Sequence, residues 1–461
     1  MRTRELHKQL LEIIPSERLI PGNKMPFRYR FDALRPYRPY PGIRTEGYPP
    51  TFLVRPESVP EVVQIVKIAR RARTPIVPYG AGTGLMGAAI PIRGGLLIDT
   101  SLLREFEVSN DDHWVHAQAG VILEDLYESL NKYGFLFAHD PWTRPIATLG
   151  GGISTNSLGY LGAKYGSLGN QLLAVEVVLP DGRLLRTRPA EFSSTGFDMK
   201  RLFIGTEGQF GLVTSATVRA YPKPERFALA CYRFHTFEQG FNAICALRNN
   251  GIRPSMIDYG QSNPHMNGET ELNLTFDGLS GEVEAQLGAA DAAIEKVGGS
   301  KSDQQTAQHF WDHRHDIAIN FAQRVATKHY QTEPRTKFDY LNVSLPTSKI
   351  LQFNSELLRI TKARGVELLE AGLWQCPELF SIVLSVTDSK PKLAGKRLWE
   401  TSNEILRLVQ DLGGCMEFCH GVGLKLAHLM EREHGLGLEV MRRLKHAVDP
   451  LGIMNPGKEA I

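Results

Sequence analysis

The stretch "PYGAGTGLMG", residues 78–87, carries Gly82-x-Gly84-x-x-Gly87, a spacing that could bind the phosphates of a nucleotide through main-chain amides. In a doubly wound fold such a loop must run from a strand into a helix. Here "TPIVPYG" supplies the strand, but the sequence then continues "AAIPIRGGLLIDTS". Pro91 stops a helix after one turn, Gly94-Gly95 ends any remnant, and "LLID" reads as the next strand. The loop is therefore expected to join two strands. Gly80, Gly82, Gly84 and Gly87 free consecutive N–H groups to point into one concavity, an anion-binding nest. Two more segments share this character: "ATLGGGISTNSLGYLGAKYGSLGN" (147–170) and "GTEGQFG" (205–211). The first is expected to lie flat against a planar or polyol ligand, because backbone can approach closely where side chains are absent. Other chemistry-bearing spacings are weaker. His309 and His313 stand one helical turn apart, with His315 close by, and read as a polar helix face rather than a metal site. Cys415-x-x-x-Cys419 lacks the second pair of a structural metal site and reads as packing thiols.

These loops need elements to hold them. "TFLVRP" reads as a strand. "SVPEVVQIVKIARRAR" reads as a helix capped by Ser58 with Pro60 in its first turn, and "TPIVPYG" and "GGLLIDTS" as strands. "WVHAQAG", the helix "VILEDLYESLNKYG" and "FLF" follow, then a hairpin around Asp181-Gly182 and a strong strand in "GLVTSATVRAYP". Beyond residue 225 the texture changes to helices over 241–251, 281–299 and 348–365, with strands over 227–234, 271–278, 340–346 and 379–386. This predicts a second α+β unit with an antiparallel sheet covered by helices on one side. The chain has 461 residues, 42% hydrophobic and 22% charged, enough for two or three domains. A formal net charge of +3 gives no footprint for nucleic acid. Five scattered cysteines fit a reducing compartment. The charged N-terminus reads as an amphipathic helix rather than a signal peptide, and no apolar run could span a membrane. A cytoplasmic location is the expectation. There is no internal repeat.

Taken in order, residues 51–91, 147–182 and 200–222 resemble the FAD-binding domain of the vanillyl-alcohol oxidase / p-cresol methylhydroxylase superfamily. The tail "HGVGLKLAHLMEREHGLGLEVMRRLKHAVDPLGIMNPGK" is similar to the C-terminal segment of its D-lactate and glycolate dehydrogenase branch. The resemblance implies an α+β fold: a two-subdomain FAD-binding domain (46–224) after an N-terminal helical segment (1–45). A cap (225–415) follows, then a C-terminal segment (416–461) that returns to the flavin. It places the FAD pyrophosphate on Pro78, Tyr79, Gly80, Ala81, Gly82, Thr83, Gly84, Gly87 and Ala88. It places Asp140, Thr148, Gly151, Gly152, Ser154, Thr155 and Asn156 along the isoalloxazine and ribityl chain, with Glu207, Gly211, Val213 and Asn455 completing the site. Some members tether the flavin through a histidine in the first loop. None is present in this one, so FAD is expected to be non-covalent.

Oxidation of a 2-hydroxy acid by a flavin needs a base for the hydroxyl proton and a cation for the carboxylate. The resemblance gives the base to His420 of "EFCHGVG", where relatives carry Glu-His-Gly, and the carboxylate to Arg314 of "FWDHRHD", with Lys425 and Arg335 behind it. Relatives that use a divalent metal hold it with two histidines and that Glu. Aligned on the following strand, Leu373 and Phe380 of "GLWQCPELF" stand at the two histidine positions and Cys419 at the Glu, so no metal is expected. The expected activity is FAD-dependent oxidation of a D-2-hydroxy acid, with the electron acceptor open and a homodimer compatible. A metal-free alcohol oxidase or an alkyldihydroxyacetonephosphate synthase-like enzyme is the alternative, since Leu373, Trp374 and Phe380 would suit a bulkier substrate. A degenerate FAD-binding subunit of a redox complex is the third reading.

Overall fold

Helix Val59–Ala72 shows how the first lobe is assembled. Ser58 Oγ accepts the amide of Glu61 at 3.4 Å, Pro60 occupies the first turn, and Arg73 ends the helix at φ 50°. Its face of Val62, Ile65, Val66, Ile68 and Ala69 is fully buried against a small sheet. Each such aliphatic side chain contributes roughly 1.5–3 kcal/mol. In this computed structural model, which describes residues 3–34, 50–266, 270–326 and 335–461, that sheet runs Leu19–Pro21, Phe52–Val54, Leu96–Asp99, Ile76–Tyr79. Its last three strands are parallel, and Leu19–Pro21 is antiparallel to Phe52–Val54. The N-terminal segment is thus not only helical. Helix Thr3–Leu11 is followed by a strand that completes the sheet. The boundary expected at 45/46 lies outside the described residues.

The second lobe is a five-stranded antiparallel sheet in the order Phe106–Ser109, Trp114–Gln118, Leu212–Arg219, Leu172–Val178, Leu184–Arg186. The hairpin between the last two turns at Gly182, φ 80°, where Asp181 Oδ1 accepts the amide of Arg183 at 2.9 Å. Helix Leu123–Lys132 covers this sheet with Leu123, Leu126 and Leu130.

The cap is a seven-stranded antiparallel sheet: Ser300–Lys301, Arg226–Phe234, Thr270–Gly278, Met256–Ser262, Glu367–Trp374, Leu379–Thr387, Thr336–Ser344. Side chains alternate between its two faces. Tyr232, Tyr259, Leu274, Leu373, Phe380, Ile382 and Leu341 point into a core under helices Phe237–Asn249, Ser280–Glu295, Ile350–Arg364 and Pro391–Asp411. The opposite face meets Ala307 and Trp311 of helix Gln304–His313 at one end, through Leu229 and Cys231. This alternation corrects the role expected for Leu373 and Phe380. They are at most 1% exposed, in the helix-covered core, and line no substrate wall. The residues of those strands that face the other way include Glu370, Gly372, Trp374 and Ser381.

The C-terminal helix Leu436–Val448 leads the chain back to the first lobe. Met454 bridges Ile76 in parallel, and the amide of Asn455 donates to Ile76 O at 2.7 Å. Lys445 Nζ fixes the turn by donating to Gln209 O, Asp449 Oδ2 and Met454 O at 2.6–2.8 Å. Among the described residues no helix is long and apolar enough to cross a membrane.

Candidate functional site

The glycine loop does join two strands. It leaves Ile76–Tyr79 and returns into Leu96–Asp99, with no helix between them. Its walls are set by backbone. Gly82 sits at φ 69°, and a Cβ there would lie 2.2 Å from Tyr79 Oη. A Cβ on Gly80 would lie 2.5 Å from Thr148 Oγ1 of the next segment. Gly82→Ala is therefore expected to strain the loop by roughly 1–3 kcal/mol and weaken cofactor binding about tenfold or more. The ratio of bound flavin to protein after purification, and a cofactor titration, would measure this.

The second glycine-rich segment differs from its expected flat course. Residues Leu149–Thr155 form a short helix capped by Thr148, whose Oγ1 accepts the amide of Gly151 at 3.4 Å. Its glycines serve close packing. A Cβ on Gly150 would meet Ala119 at 2.7 Å, and one on Gly152 would meet Leu168 at 2.8 Å. Asn156 ends the helix at φ 50° and accepts the amide of Gly169 through Oδ1 at 3.2 Å. His139 lies beneath, bonded to Ser157 Oγ at 2.8 Å. Burial lowers its pKa to about 3, which keeps the ring neutral.

The third segment holds the C-terminal tail. Glu207, itself at φ 50°, accepts the amides of Val422 and Gly423 through Oε1 at 2.8 and 2.9 Å. Asn455 Nδ2 donates to Glu207 O at 2.6 Å and to Ala88 O at 3.0 Å. Burial raises the pKa of the Glu207 carboxyl against the pull of the Gly423 and Val422 amides. This clamp fixes the turn that follows His420.

Together the three segments bound one open cleft. Of the residues expected at the cofactor, Pro78, Tyr79, Gly80, Ala81, Gly82, Thr83, Gly84, Ala88, Thr148, Gly151, Gly152, Ser154, Thr155, Glu207, Gly211 and Val213 line it, and so does His420. Gly87, Asn156 and Asn455 stand behind the lining. Gly87 lets Leu34 and Leu424 approach, with a Cβ there only 3.1–3.3 Å from them. Asp32, Trp142, Thr143 and Cys419 also line the cleft. Trp142 lies inside a segment already singled out by its glycines, whereas Asp32 has no motif around it.

Asp140 and Arg314 are not among the lining residues. Asp140 is a buried hub whose Oδ1 meets Arg144 Nη1 at 2.9 Å and His315 Nε2 at 3.1 Å, while its Oδ2 accepts Arg314 Nε at 3.0 Å. Burial alone would lift its pKa. The bond to His315, with Arg144 and Arg314, holds the carboxyl well below its ordinary value. The Arg314 guanidinium also stacks on Trp311, 3.6 Å from the ring centroid, and its Nη1 donates to Trp311 O. Both residues, expected at the cofactor and the substrate, instead dock the cap on the segment carrying Trp142. Lys425 is fully buried and paired with Asp339, and Arg335 is exposed, so neither faces the cleft.

His420 is 13% exposed at the side chain. Its Nδ1 lies 3.0 Å from the Asn342 amide and 3.6 Å from Glu417 Oε1. Aromatic rings surround this corner. Trp142 lies 6.4 Å from His420 and 6.5 Å from Tyr340, and Trp374 lies 6.2 Å from Phe418. Potential ligand atoms of Glu417, Cys419 and His420 lie within 4.8 Å of one another. Glu417 Oε1, however, accepts the amides of Cys419 and His420 at 2.8 and 2.9 Å, and burial pushes the Cys419 thiol well up. The group reads as a hydrogen-bonded turn.

Comparison with known proteins agrees with this architecture. A family model described as "FAD binding domain" matches residues 50–188, and one described as "FAD linked oxidases, C-terminal domain" matches residues 223–459. The chain is 27% identical to the glycolate oxidase subunit GlcD of Bacillus subtilis, over 99% of this chain and 97% of that one. It is 26% identical to the D-lactate dehydrogenase of Archaeoglobus fulgidus, over 93% and 95%. Among solved structures, alkyldihydroxyacetonephosphate synthase superposes with a TM-score of 0.79 at 18% identity, over 99% of this chain and 85% of that one. Substrate-bound p-cresol methylhydroxylase gives 0.77 at 16%, over 99% and 96%.

Proposed function

The chain belongs to the FAD-linked oxidase family, and from that premise we propose that it oxidises the hydroxyl-bearing carbon of a small D-2-hydroxy acid. FAD is its cofactor. The cleft fits that group. Its walls are main chain where a Cβ would intrude, as at Gly80 and Gly82, and its length takes in all three glycine segments. Bound there, FAD supplies a two-electron oxidant that accepts a hydride. The observation that carries the proposal is that His420 lines the same cleft as these loops. His420 removes the hydroxyl proton through Nε2, the ring nitrogen away from Asn342. Trp142 and the cap wall screen the reacting carbon from water. Binding is non-covalent, supported by the absence of a histidine from the loop 78–87 and by the collision that a side chain at position 82 would make with Tyr79. The reaction proceeds without a divalent metal, supported by Leu373, Phe380 and Cys419 at the positions where metal-using relatives carry two histidines and a Glu.

The names of the two relatives, a glycolate oxidase subunit and a D-lactate dehydrogenase, support the acid substrate. No Lys or Arg is among the described residues lining the cleft, so anchoring a carboxylate asks Arg314 to exchange Asp140 for substrate. The aromatic rings of Trp142, Tyr340, Trp374 and Phe418 favour a second reading, an aromatic or alkyl alcohol. Anaerobic addition of D-lactate or glycolate is expected to bleach the flavin absorption band, with or without a chelator. Bleaching by alcohols or phenols alone would replace the first reading with the second, and loss of bleaching on chelation would overturn the metal-free chemistry.

A further inference from the structure

His420 can act as a base at Nε2 only if its other nitrogen, Nδ1, carries the ring proton. What meets Nδ1 therefore decides whether the ring accepts a proton from substrate or offers one. The partner of Nδ1 is carried on a row that crosses four strands of the cap sheet. Asn342 and Ser381 are register partners on Thr336–Ser344 and Leu379–Thr387, and Ser381 is also paired with Gly372. Gly372 in turn is paired with Gly260. Glu370 stands over Gly260, its Oε1 3.4 Å from where a Cβ would lie.

As placed, Asn342 turns Nδ2 to His420 Nδ1 at 3.0 Å and its Oδ1 accepts the Ser381 hydroxyl at 3.0 Å; the orientation required for a base at Nε2 is the exchanged one. An amide keeps its shape when O and N are exchanged, and a hydroxyl both donates and accepts, so either orientation satisfies Ser381. The two orientations differ in chemistry. With Nδ2 toward the ring, Nδ1 is an acceptor and the neutral imidazole shows N–H to the cleft. With Oδ1 toward the ring, Nδ1–H donates to Asn342 and Nε2 presents its lone pair. Glu417 Oε1, 3.6 Å from Nδ1, favours a proton on that nitrogen. The product of proton abstraction requires the same orientation, because an imidazolium carries N–H at both nitrogens and its Nδ1–H needs an acceptor.

We propose that Asn342, held by Ser381, is the positioning residue of this site: its Oδ1 accepts Nδ1–H of His420 and keeps Nε2 unprotonated toward the substrate hydroxyl. This rests on the reading of His420 as the base. In the step, the hydroxyl O–H breaks and its proton goes to Nε2; FAD, when bound, would supply the acceptor for the hydride of the C–H bond, and the carbon would be left as a carbonyl. Asn342 exchanges no proton. It bonds Nδ1–H before and after.

The test uses full-length holoprotein labelled with ¹⁵N-histidine, the His420 signals being assigned by their loss in His420→Gln. Wild type is expected to show the Nδ1–H tautomer. Asn342→Leu is expected to lose it and to lower kcat about 10–100-fold, with KM changed less than about threefold. Asn342→Asp, which keeps an oxygen at the ring, restores the tautomer and most of kcat, while equal flavin content in both variants shows that the fold is intact. An Nε2–H tautomer in wild type, or an Asn342→Leu protein with unchanged tautomer and kcat, would overturn the proposal. If His420→Gln is inactive while the Asn342 variants are neutral, only this inference fails. If His420→Gln keeps full turnover, the base reading falls with it.

Discussion

His420→Gln is expected to retain FAD and lose turnover by about 10²–10⁴-fold. The size follows from what is removed. Glutamine fills much of the same volume and can hydrogen-bond, but its amide cannot take a proton at neutral pH. The hydroxyl proton would then have to leave to water, a slower route in a corner crowded by Trp142 and Tyr340. FAD should stay, because the walls of its cleft are built from the loops at 78–88, 148–155 and 207–213, which His420 does not hold in place. The turn itself is pinned by the amide bonds of Val422 and Gly423 to Glu207 and of His420 to Glu417, all made by backbone. Stopped-flow reduction under anaerobic conditions separates the outcomes. The expected result is slow bleaching at all substrate concentrations with KM little changed, the signature of a group used in the transition state. Bleaching at the wild-type rate would remove His420 from the chemistry, and a colourless variant would show that the ring supports the cofactor instead.

The parts of this site legible in the sequence are those where one residue type answers a local need. Gly82, at φ 69° against Tyr79, can be read as glycine-required without knowing any distant partner. Ser58 and Pro60 mark a helix start by local chemistry alone. Pro91 and Gly94-Gly95 likewise showed that no helix follows the first loop. Elements whose identity depends on partners were not legible. Strands Met256–Ser262 and Glu367–Trp374 are broken by glycines and carboxylates, and they form only as the middle of a sheet. Helix Pro391–Asp411 buries Thr401, Ser402 and Asn403 among its apolar residues, which blurs its stripe. Ser402 is there because its hydroxyl donates to buried Asp339 at 2.8 Å. The same limit applies to Asn342, Ser381 and Arg314. Leu373 and Phe380 occupy positions a linear alignment assigns to the site, but a strand shows alternate residues to opposite faces, so one position's difference carries them into the core. Arg314 has the right type for a carboxylate, and the carboxylate it meets is the protein's own Asp140.

Asp140→Ala is expected to destabilise the protein by about 3–5 kcal/mol and to reduce retained FAD. Asp140 is 1% exposed and receives Arg144, Arg314 and His315, contributed by the segment at the cleft and by the cap. Deleting it leaves the Arg314 and Arg144 guanidiniums buried without their shared counter-charge, although Glu124 still binds Arg144 at 2.8 Å. The functional consequence follows from the neighbours. Pro141, Trp142 and Thr143 line the cofactor cleft, and His315 Nδ1 meets Trp142 O at 3.1 Å, so loosening the hub loosens that wall. The pH dependence has a definite sign. A carboxyl whose folded pKa is depressed contributes stability above its unfolded pKa, about 3.9, and that stability is lost as pH falls through the folded value. Wild type should therefore lose this contribution only at strongly acid pH. Asp140→Asn should keep the shape but lack the charge, so its deficit relative to wild type should be full at neutral pH and shrink as both proteins are acidified. Urea unfolding across that range, with flavin release followed in parallel, measures both. A neutral-pH deficit under about 1 kcal/mol, the scale of an exposed ion pair, would mean that the cap is docked by its packing and that Asp140 is incidental to it.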